Sequence, residues 1–207
     1  MDNRNSAEPV FFTTEDNERG ALRRYVADRT GWDALHVGGT TSYLQFLSGN
    51  RFRWTSDRTL GEVSASYYYP NTEGIAYRNS TLYFVSKKIK EMFILNLDEM
   101  TYTSEKTGSL FDGQGSFNAQ PDQIIPNDID KRRFIYFTED SGYAPGIHAR
   151  DAQGRYRTLF RGIPDGSYAD DETVGIAFSP DRKRLYAGFQ VRGVLFEITR
   201  EDGSVFN

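Results

Sequence analysis

Three stretches of the chain place a carboxylate at the head of a short apolar run: Glu73 in NTEGIAY, Asp122 in QPDQIIP and Glu172 in DETVGIAF. A second set of acids follows an aromatic run, Glu15 and Asp16 in TTED and Glu139 and Asp140 in FTED. Carboxylates brought together repel one another unless a cation lies among them or some are protonated. Their hard oxygen atoms suit Ca²⁺ or Mg²⁺. Five residues are therefore candidate metal ligands: Glu15, Glu73, Asp122, Glu139 and Glu172. At the place matching FTED in another stretch stand two bases, Lys87 and Lys88. They could neutralise the acids without metal, or offset the charge of an anionic substrate. The plainer role for all these acids is to cap turns and accept backbone N–H groups at strand starts.

Elements must bring such residues together, and the spacing of about 50 residues between heads indicates how. Each head opens a strand: Ile75–Tyr77, Ile124–Pro126 and Ile176–Phe178. A polar turn follows (RNST, NDIDKRR, SPDRKR), then an aromatic strand: Leu82–Val85, Ile135–Thr138, Leu185–Gly188. A third strand completes each unit at Met92–Leu97, Gly146–Arg150 and Val194–Ile198, with a weaker fourth at Thr101–Thr103 and Tyr156–Phe160. The N-terminal run VFFTTED…GALRRYVAD…SYLQFL reads as another unit without its first strand. Three or four strands per 50-residue period mark an all-β fold and the blade of a β-propeller. A β-sandwich would show turn signals without the 50-residue echo.

The expectation is a propeller of about four blades, small or part of a larger six-bladed ring. Residues 1–8 would be a flexible segment, and 9–207 the propeller domain, with blade-like units near 9–60, 70–107, 120–162 and 170–207. If the first strand of each blade lines the central channel, Glu73, Asp122 and Glu172 form an acidic ring at its mouth. No convincing amphipathic helix is found. Residues 20–29, GALRRYVADR, would make two helical turns or a strand.

Composition narrows the function. Fifteen Phe and thirteen Tyr favour strands. The absence of cysteine excludes disulfides, thiolate metal sites and a cysteine nucleophile within this chain. Two histidines, His36 and His148, are too few for a histidine metal cluster. A net charge of −4 argues against a nucleic-acid binder, and RFRW (Arg51–Trp54) reads as a strand with a solvated face. No apolar run reaches the ~20 residues of a membrane span. The start, MDNRNSAEPVFF, lacks a signal-peptide layout, so either export does not use that route or the chain has been cut from a longer one. The sequon Asn79-Ser80-Thr81 falls in a predicted turn. There is no G-x-S-x-G elbow or Walker loop.

The stretches PNTEGIAYRNSTLYFVSKKIKEMFILNLD, YFTEDSGYAPGIHARDAQGRY and DETVGIAFSPDRKRLYAGFQVRGVLFEITREDG resemble later blades of the PhoX-type alkaline phosphatase superfamily, in its divergent propeller branch. The resemblance runs from Phe11 onward, and its most specific element is E-x-x-G-x-x-F-x-P-D at Glu172–Asp181. It implies a six-bladed propeller holding calcium and iron and hydrolysing phosphomonoesters. Glu139 and Glu172 sit where that family places metal-binding glutamates, and Glu73 is analogous. Ca²⁺ and Fe³⁺ are the implied cofactors, a phosphorylated small molecule the implied substrate, and an extracellular or periplasmic setting the implied location. The family's iron-binding cysteine has no counterpart here, and about two blades of sequence are absent.

Two functions follow. One is a metal-dependent phosphoester hydrolase, with Lys87 or Lys88 offsetting phosphate charge. The other is a non-catalytic propeller that serves protein partners or completes a larger assembly, its exposed aromatics acting as anchors.

Overall fold

The computed structural model describes residues 1–2, 4–5, 7–127, 134–140, 143–163, 166 and 168–206. The fold is all-β and antiparallel, with one α-helix among the described residues. Two compact units divide the chain at 104/105.

In the first unit, β1 (Val10–Thr13), β2 (Arg23–Ala27), β3 (Gly39–Leu47) and β4 (Arg51–Thr55) form one meander. A second meander follows in β5 (Thr72–Arg78), β6 (Thr81–Ser86), β7 (Glu91–Asn96) and β8 (Thr101–Lys106). A single residue pair, Arg51↔Thr101, joins the two at β4 and β8. The strand reading of 20–29 is the one the fold adopts. RFRW forms β4, with Phe52 buried and Arg51 and Arg53 exposed. Where the first strand of the N-terminal meander would lie, Asp2 makes an isolated antiparallel bridge to Val10. Asp2 also accepts from Tyr77 Oη of β5 at 2.9 Å, and Arg4 reaches Asp98, in the turn before β8, at 2.5 Å.

The sequence reading missed the helix α1 (Arg58–Tyr68) between β4 and β5. Asp57 caps it, accepting from Thr59 N at 2.8 Å and Leu60 N at 3.3 Å. Its buried face is made of Gly61, Ser64 and Ala65, small residues that register poorly as a hydrophobic stripe. They let the helix lie close on β3. Ser64 Oγ accepts from Phe46 N at 2.9 Å, and Tyr69 Oη donates to Leu44 O at 2.6 Å. Leu22, Leu44, Phe46, Tyr69, Leu82, Phe84 and Phe93 form the core beneath. Each such side chain contributes about 1.5–3 kcal/mol on burial.

In the second unit, β9 (Gln120–Pro126), β10 (Ile135–Asp140), β11 (Gly146–Arg150) and β12 (Tyr156–Arg161) make a four-stranded sheet. A three-stranded sheet follows in β13 (Thr173–Phe178), β14 (Arg184–Phe189) and β15 (Val194–Thr199). The two pack face to face through Tyr136, Ile147, Ala149, Leu185 and Ala187, joined by Phe206. Most of the predicted turn NDIDKRR, residues 128–133, lies outside the described residues. Among the described residues no helix is long and apolar enough to cross a membrane.

Candidate functional site

The strand heads share a backbone device. In β5 the register slips between Thr72↔Ser86 and Ile75↔Phe84, so Glu73 and Gly74 together face Val85. In β9 it slips between Ile124↔Phe137 and Pro121↔Glu139, so Asp122 and Gln123 face Thr138. Such bulges re-aim the residues they contain. Asp122 is thus the register counterpart of Glu73. Glu172 is not. The GIA of β13 aligns Thr173 with Thr72, Val174 with Glu73 and Glu172 with Asn71. The expected ring of three equivalent acids reduces to two equivalent positions, with the third offset by two residues.

In the first unit Glu73 meets a base. Lys87 Nζ lies 3.0 Å from Glu73 Oε1 and 2.7 Å from Asp16 Oδ2, and Asn71 Nδ2 donates to Asp16 Oδ1 at 2.9 Å. Burial alone would raise the Asp16 carboxyl, but the bonds from Lys87 and Asn71 outweigh it and hold that group below the usual carboxylate range. Lys88 reaches outward to Glu18 at 3.4 Å, both of them exposed. Glu15 pairs with Arg23.

In the second unit Glu139 is buried, and four donors converge on it. Oε1 accepts from Asn118 N at 3.1 Å and Ala119 N at 2.8 Å; Oε2 accepts from Gly146 N at 2.9 Å and lies 3.0 Å from His148 Nε2. Because the carboxylate only accepts, Nε2 carries the proton in this arrangement. The imidazole, fully buried, stacks on Phe117 at 4.3 Å, with Nδ1 3.2 Å from Thr158 Oγ1. A Cβ at Gly146 would come within 2.9 Å of the ring, so glycine permits the approach. Asp122 Oδ2 accepts from Thr138 Oγ1 at 3.4 Å.

Glu172 N donates to Asp171 Oδ1 at 2.8 Å, and its carbonyl accepts from Gln190 N at 3.1 Å. Buried Asp171 does the capping there, taking Val191 N at 2.8 Å and Arg192 N at 3.1 Å. Sequence reasoning passed over Asp171 and His148. It also passed over Thr72 and Thr173, although their shared place ahead of GIA was visible.

Thr72 Oγ1 accepts from Glu15 N at 3.2 Å and lies equally far from Glu15 O. Thr173 Oγ1 accepts from Glu139 N at 2.7 Å and lies 3.2 Å from its carbonyl and 2.8 Å from Gly146 O. In each unit a threonine at the head of a strand group thus grips an earlier glutamate: Thr173 of β13 holds Glu139 of β10, and Thr72 of β5 holds Glu15, two residues past β1 in the same eight-stranded sheet. Among the described residues no group of three or more His, Asp or Glu side chains is placed to hold a metal ion. A cation at Glu139 would confront four N–H groups, and one at Glu73 an ammonium. As arranged, the donor set does not fit Ca²⁺ or Fe³⁺ at these two positions.

No family model matches the chain. No curated protein matches it either. Among solved structures, the crystal structure of a nidogen/laminin complex is similar over 97% of this chain and 80% of the matched chain, at 13% identity and a TM-score of 0.41. Likeness at that level assigns neither family nor function.

Proposed function

We propose that the strand groups are blades of a β-propeller and that the protein is a non-catalytic module contacting partner proteins. The repeated threonine grip supports the blade reading, since it ties the head of one strand group to an earlier group at equivalent places in both units. The single observation that carries the non-catalytic reading is the Lys87 ammonium seated between Asp16 and Glu73, with Glu139 saturated likewise by protein donors. The acids are neutralised from within. Large apolar side chains left in solvent, Trp32 at 84% exposure and Tyr67 at 79%, are suited to anchor a partner.

A metal-dependent phosphoester hydrolase of the PhoX type is the second reading. The motif resemblance motivates it, and the convergence of Asp16 and Glu73 on one cation favours it. Calcium and chelator melts, with turnover of a generic phosphomonoester in Ca²⁺ and Fe³⁺, separate the two. The module reading expects no calcium-dependent rise in midpoint and no turnover, together with a co-purifying partner lost in Trp32→Ala or Tyr67→Ala. Calcium-dependent turnover would establish the hydrolase instead.

A further inference from the structure

Beside Glu15 lies a polar cavity of about 200 Å³, walled by the 15–21 loop, β2, β3 and the first turns of α1. Three guanidinium groups line it, from Arg19, Arg23 and Arg58, against two carboxylates, Glu15 and Glu62. Glu62 bridges two of them, with Oε1 2.6 Å from Arg58 Nε and Oε2 3.6 Å from Arg19 Nη2; Glu15 takes Arg23. Each guanidinium carries five N–H donors in a fixed fork and no acceptor. Two carboxylates therefore leave donors in excess and a local charge of about +1, inside a chain whose net charge is −4.

The backbone of the walls is tied down. The loop closes through Gly20 N→Asn17 O at 2.9 Å, and a Cβ at Gly20 would lie 2.4 Å from Glu15 O. Arg19 N is held by Asn17 Oδ1 at 2.9 Å, and Gly61 lets α1 close on Tyr43. Spare forked donors on a preformed wall match an oxyanion, which accepts two N–H groups from one guanidinium.

We propose that this cavity binds a small oxyanion group, carboxylate or phosphate, through the unused N–H donors of Arg19, Arg23 and Arg58. The space exceeds a bare ion, so the group would be the charged end of a small molecule or side chain. Glu15 then orients Arg23 and does not hold a metal. The site is independent of both readings of overall function.

The test is a titration of the arginine Nε–H NMR signals with inorganic phosphate and, separately, acetate, at constant ionic strength. Saturable shifts of Arg19, Arg23 and Arg58 on one curve are expected, with Arg58→Gln and Arg19→Gln each weakening binding at least about fivefold. Arg53→Gln, at an exposed position of β4, should leave it unchanged. Arg58 and Arg19 are both more than half exposed, so neither substitution threatens the fold. Tighter phosphate binding assigns a dianion, and equal binding a carboxylate; either supports the site. Shifts that fail to saturate, or an equal loss in Arg53→Gln, would overturn it.

Discussion

The hydroxyl of Thr173 holds Glu139 by its backbone, accepting the amide N–H at 2.7 Å and lying 3.2 Å from the carbonyl. Both residues are buried. Thr72 grips Glu15 in the same way. One hydroxyl both accepts and donates, satisfying backbone groups of an earlier strand group.

Thr173→Val keeps the shape and removes the hydroxyl, leaving Glu139 N–H buried and unpaired. We expect a loss of about 1–3 kcal/mol. Thr173→Ser should recover most of it. Denaturant unfolding at unchanged m-value checks this, and an unaltered midpoint in Thr173→Val would remove the grip from the account of stability.

At Gly61 two rules oppose each other. Helix propensity alone makes Gly→Ala stabilising by about 1 kcal/mol. Here the new Cβ would lie 2.5 Å from Tyr43 Cβ and 3.2 Å from Ala21 Cβ. Neither of those atoms can swing aside without moving backbone. Overpacking should win, so Gly61→Ala is expected to lower stability by about 1–3 kcal/mol. A raised melting temperature would show that α1 lies farther from β3.

The acidic limb of stability should carry the imprint of Asp151. Burial pushes this carboxyl up, but the backbone N–H groups of Arg155 and Gln153 and the Arg155 guanidinium together hold it below its ordinary value. A depressed carboxyl contributes stability that is complete above its unfolded pKa and vanishes as pH falls through the folded one. Asp151→Asn should therefore melt below the wild type by a constant margin from pH 8 to about 5, and the margin should close below about pH 4. A margin that persists at pH 2 would mean that shape, not charge, is what Asn loses.

How much of this was legible follows from what a strand pattern records. Runs of aromatic and β-branched residues mark β6 and β10 plainly, and Phe84, Tyr136 and Phe137 are buried there. The helix was not legible, since Gly61, Ser64 and Ala65 bury a face through smallness rather than greasiness. The acids were visible and their partners were not. Lys87 is 14 residues from Glu73 and 71 from Asp16, and only the β5–β6 pairing and the bulge at Glu73 aim them at one another. Aligning on acidity made Glu172 the equivalent of Glu73. Aligning on GIA, which the backbone obeys, makes Thr173 the equivalent of Thr72 and exposes the grip.

The Lys87 ammonium acts as a built-in cation, and Lys87→Met tests that directly. In the wild type it lies within 3.0 Å of both carboxylates, so added Ca²⁺ meets an occupied position. Without it, Asp16 and Glu73 face each other with like charge, and the proton affinity of Asp16 must rise. The three side chains are partly exposed, so solvent screens them, and the loss at pH 7 should be about 1 kcal/mol or less. The informative part is its conditional nature. Lys87→Met should regain stability as pH is lowered toward 5, because protonation relieves the repulsion, and also on adding millimolar Ca²⁺, whose preference for oxygen ligands suits the vacated place. Wild-type protein should show neither response. Thermal melts of both proteins across pH and calcium make the comparison, and a variant indifferent to both would mean that the two acids were never held together by the lysine.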